Sequence, residues 1–96
     1  MSGSTCLRID GEMTIYRAAE LKPVLLEALT PSAGLDIDLS GVTEFDSAGV
    51  QLLMLAQREA RAMQGELRLV APSPAVREVL DLLDLAAVLG EPVQAA

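Results

Sequence analysis

The chain has 96 residues, 51% hydrophobic, with 14 acidic against 7 basic side chains and a net charge of −7; that is one domain, too apolar for disorder. With no His and a single Cys, it has no Ser-His-Asp or Cys-His nucleophile system, no imidazole metal site and no internal disulfide, so neither catalysis nor a metal or cofactor is expected. Its acidity repels nucleic-acid phosphates and anionic membrane, and one Tyr, one Phe and no Trp leave little surface for base stacking.

The opening Met1-Ser2-Gly3-Ser4-Thr5-Cys6 has neither the charged nor the apolar region of a signal peptide, and no apolar run reaches the ~18 residues of a membrane span. The chain therefore reads as cytoplasmic. Cys6 to Ile9 and Met13 to Tyr16 alternate around Asp10-Gly11, a hairpin signal. Matching the faces pairs Ile9 with Met13 and Leu7 with Ile15, which favours a three-residue loop or a bulge. Residues from about 17 to 29 read as a helix with Ala18, Leu21, Leu25, Ala28 and Leu29 at helical spacing. Pro23 should kink it or mark its first turn. Pro31 and Gly34 break the chain, and Leu35 to Leu39 alternates apolar residues with Asp36 and Asp38 as a strand.

Ser40-Gly41 is read as a turn, leading through Val42 to Phe45 into a second helix from about Ala48 to Met63, ended by Gly65. Glu66 to Ala71 is a further strand. Ser73 and Pro74 suit the N-cap and N1 of a third helix to about Leu83, with Val76, Val79, Leu80 and Leu83 on its buried stripe. Ala87 to Leu89 suits a short edge strand. This order predicts an α/β domain with a mixed sheet of four to five strands and helices mainly on one face.

Three groups of residues invite a chemical reading. Asp36 and Asp38, two apart on a strand, project from one face, but no Lys follows Lys22 to complete a phosphoaspartyl site, so solvated carboxylates are the simpler reading. Cys6 has no basic sequence neighbour to activate it, and Arg58-Glu59-Ala60-Arg61 reads as a solvated helix face. In Asp46-Ser47-Ala48-Gly49, either Asp46 or Ser47 supplies the helix N-cap, while a Ser at a helix mouth is also exposed and rigidly held. Leu52-Leu53-Met54-Leu55 advance about 100° each around the helix, so either a neighbouring helix covers them all or an apolar patch adjoins Ser47.

The segment Leu39 to Val50, with Gly11-Glu12, Gly65-Glu66-Leu67, Val70 to Pro74 and the Val76 to Leu83 helix, resembles the STAS domain family. The resemblance spans about Leu7 to Leu89 and implies one STAS-like domain over 1–96. Its most specific motif is Asp46-Ser47-Ala48-Gly49. Family members include anti-anti-sigma factors (anti-sigma factor antagonists), whose hydroxyl residue after the Asp is phosphorylated by a kinase that is also the binding partner; Ser47 matches it. Other relatives dock on the ATPase of phospholipid-transport ABC systems or accompany chemotaxis genes. Ala48 stands where sporulation-type members have Ser, a pattern shared with the lipid-transport and chemotaxis branches. The resemblance thus implies a monomeric, non-catalytic interaction module with a protein partner, a serine kinase of the anti-sigma type or an ABC ATPase. The expected partner-binding residues are Asp46, Ser47, Ala48, Gly49, Val50, Leu52 and Met54, with Ser47 the phosphorylation site.

Overall fold

The computed structural model describes residues 4–85 and 89–90. Strand β1 (Ser4–Met13), helix α1 (Ala18–Ala28), β2 (Gly34–Phe45), α2 (Ser47–Ala62), β3 (Glu66–Val70) and α3 (Pro74–Leu82) follow one another as three strand–helix units. The strands form a parallel sheet in the order β1-β2-β3. Leu35, Ile37 and Leu39 of β2 and Leu67 and Leu69 of β3 turn one face into a core shared with Leu21 and Leu25 of α1, Leu53 and Ala56 of α2, and Val76 and Leu80 of α3. The opposite face carries Arg8, Asp36, Asp38 and Arg68, so the helices lie on one side, as predicted. Two-sided burial is usual for a parallel sheet; here the second face is solvated through charged side chains instead.

The sheet differs from expectation in number and direction: three parallel strands among the described residues, where a mixed sheet of four to five was predicted. Asp10-Gly11 does not reverse the chain. Gly11 takes a left-handed φ of 82°, as a glycine there should, but spends it inside β1, opposite a bulge in β2. Ser40-Gly41 likewise does not turn, because β2 runs through it. These two misread signals face each other. Asp10 pairs with Gly41, and the register slips between Arg8 and Asp10 and again between Gly11 and Glu12, each time with an extra residue on β2. A Cβ at Gly41 would meet the Asp10 carboxylate, the movable end of an exposed side chain. Both strands therefore bend at the same level, and burial in β2 shifts from Leu39 to Val42. The Ser40 N–H donates to Asp38 Oδ1 at 2.9 Å, which holds the Asp38 carboxyl below the usual carboxylate range.

The helices follow the apolar spacing. Pro23 lies inside α1 on its exposed side, where the helix accommodates it. Ser73 caps α3 by accepting from the Val76 N–H at 3.3 Å, with Pro74 at N1. Leu83, predicted on the buried stripe, is instead 53% exposed: α3 has ended, Asp84 takes a φ of 51°, and the Leu85 N–H returns to the Leu80 carbonyl at 3.0 Å. The predicted edge strand at 87–89 falls outside the described residues except for Leu89, which is buried and helical instead of extended, its N–H on the Leu85 carbonyl at 2.8 Å.

Helix α2 stops in a Schellman turn, with the Gly65 N–H on the Ala60 carbonyl at 2.8 Å and the Gln64 N–H on Arg61 at 3.0 Å. Gln64, not Gly65, holds the left-handed position, at φ 59°. Gly65 is needed for space, since a Cβ there would lie 2.6 Å from the Ala33 carbonyl oxygen. Gly65→Ala should therefore lose about 1–3 kcal/mol of stability, whereas Gln64→Gly should gain about 0.5–1 kcal/mol by relieving the left-handed residue. Urea unfolding of the two variants checks the opposite signs.

Candidate functional site

Asp46 closes the mouth of α2. Its Oδ1 accepts from the Ala48 N–H at 2.8 Å and the Gly49 N–H at 3.3 Å, taking two donors that the first helical turn would otherwise leave unpaired. Its Oδ2 accepts from the Ile15 N–H at 3.3 Å, so one carboxylate ties the segment after β1 to the start of α2. Gly49 faces inward, where a Cβ would stand 2.5 Å from the Met13 carbonyl oxygen and 2.6 Å from the Phe45 ring. The approach of α2 to β1 depends on that missing atom.

Of the two candidate caps, Asp46 is the one used. Ser47 is the first residue of the helix and is exposed, while the cap bonds are made by Asp46.

The segment beside it is held just as firmly. Thr14, buried, donates from Oγ1 to Glu12 Oε1 at 3.0 Å and accepts there from the Tyr16 N–H at 3.3 Å. Arg17 reaches back to the carbonyls of Asp10 at 2.7 Å and Glu12 at 2.9 Å and pairs with Glu20 at 3.0 Å. That leaves Ile15 and Tyr16, expected in a strand, 69% and 89% exposed. Two adjacent large apolar residues cannot share one face of a strand, and that was the available sign that one of them faces out.

Ile15, Ala18, Ser47, Ala48, Gln51 and Leu55 line an open groove of about 370 Å³ beside the helix mouth, floored by Leu52. A second depression of about 380 Å³ continues along α2 past Gln51, Met54, Leu55, Arg58 and Arg61.

Ser47, Ala48 and Leu52 thus come together at this groove, with Asp46 capping the helix beside them, and Met54 lies on the adjoining depression. Gly49 and Val50 are buried and support the site from beneath. Of the four-residue apolar run, Leu52 and Leu53 point inward, Leu55 is half-buried and Met54 is exposed, so no neighbouring helix covers the whole run, and Leu52 and Leu55 form apolar surface beside Ser47. Asp36 and Asp38 lie on the open sheet face. Asp36 has a basic companion that spacing concealed: Arg68, adjacent in the parallel register, binds it through Nε at 2.9 Å and Nη2 at 3.3 Å. Cys6 is exposed on β1. Among the described residues no His, Cys, Asp and Glu side chains gather as metal ligands, and no helix is long and apolar enough to cross a membrane.

A sheet covered on one face, with an Asp-Ser-Ala-Gly helix mouth at the end of its central strand, fits one family. The chain belongs to the STAS family: the family described as "Mlab, STAS domain" matches residues 2–91. No curated protein matches the chain in sequence. Among solved structures it is similar to a Thermotoga maritima protein proposed as an anti-sigma factor antagonist (19% identity, 97% of this chain and 80% of that one, TM-score 0.79). It is also similar to the anti-sigma factor antagonist SpoIIAA in its unphosphorylated form (24% identity, 100% and 83%, TM-score 0.71). A sulfate transporter family protein from Wolinella succinogenes shares the fold too (20% identity, 98% and 80%, TM-score 0.76).

The geometry separates two neighbouring side chains by role. Asp46→Ala should cost about 1–2 kcal/mol of stability, while Ser47→Ala should stay within about 0.5 kcal/mol of wild type. Thermal melts of both variants test this division.

Proposed function

We infer that the chain is a non-catalytic interaction module that docks on a protein partner through the mouth of α2 and is switched by phosphorylation of Ser47. The observation that carries this reading is the idle Ser47 hydroxyl: exposed at the helix start, while Asp46 does the capping. A modification there changes the surface and leaves the fold's own contacts in place. Phosphate adds about −1.5 to −2 charge next to Asp46 and the exposed Glu44, and the positive end of the helix helps hold it. A partner surface fitted to a neutral hydroxyl then meets a dianion it must desolvate without a counter-charge.

The partner in this reading is a nucleotide-binding serine kinase of the anti-sigma type, which would be both modifying enzyme and target. The likeness to SpoIIAA, described in its unphosphorylated form, supports it. Ala48 favours a second reading, constitutive docking of the same surface on the ATPase of a phospholipid-transport ABC system or within a chemotaxis assembly.

Partner affinity measured for wild type, Ser47→Ala, Ser47→Asp and the phosphorylated protein decides between them. The switch expects wild-type affinity for Ser47→Ala, weaker binding for Ser47→Asp, and a loss of roughly 2–5 kcal/mol for the phosphorylated form, all with nearly unchanged melting. Equal affinity in all four forms favours constitutive docking, and lost binding with a collapsed melt makes Ser47 a structural residue.

A further inference from the structure

We draw no further inference here: the strongest candidate, the apolar groove between Ile15 and the first turns of α2, floored by Leu52, belongs to the docking site already described, and nothing in the structure shows what covers it.

Discussion

The Asp46 carboxylate holds three backbone N–H groups from two parts of the chain, those of Ala48 and Gly49 in α2 and that of Ile15 after β1. The site depends on this arrangement. A helix mouth needs acceptors, and the segment leaving a strand needs partners for its freed donors; here a single side chain serves both, so the position of one fixes the other. Gly49 makes the arrangement sterically possible by letting α2 settle against the Met13 carbonyl and the Phe45 ring. In Asp46-Ser47-Ala48-Gly49, the first and last residues are committed to structure, Ala48 walls the groove, and Ser47 alone presents an unused functional group.

The sheet brings these parts to the same end of the molecule. In a parallel sheet the carboxyl ends of the strands lie together, and ligand and partner sites of open α/β folds gather there. The segment with Ile15 and Tyr16 leaves the carboxyl end of β1, and Asp46-Ser47 leaves that of β2. The facing irregularities at Asp10-Gly11 and Gly41 bend both strands just before those ends, as bulges do where a strand must be re-aimed. Arg17 then anchors the bend by binding the carbonyls of Asp10 and Glu12. Rigidity at the site thus comes from backbone groups satisfied by a few long polar side chains, in a domain with almost no aromatic residues to supply it by bulk.

Charge is also unevenly distributed. The open sheet face is solvated through short ion pairs such as Arg68 with Asp36, which makes it self-contained. The outer face of α2 mixes exposed Met54 with guanidiniums that have little or no internal partner.

Local chemistry by itself determined the helices, the Ser73 cap of α3 and the first half of the central strand. Apolar spacing located α1, α2 and α3, Ser73-Pro74 marked a helix start, and the Asp-Ser pair marked the mouth of α2, because such signals act within a turn or two and are written in consecutive residues. The motif's resemblance likewise carried the family. Tertiary structure alone decided what Gly11 and Gly41 were for. A left-handed glycine suits a hairpin and a bulge equally well, and only the pairing of β1 with a strand some thirty residues away selected the bulge. The same distance hid Arg68 beside Asp36 and Ile15 beside Ser47. A parallel sheet sets neighbours by register across crossover connections, and register is a property of the packed sheet that no short stretch of sequence contains.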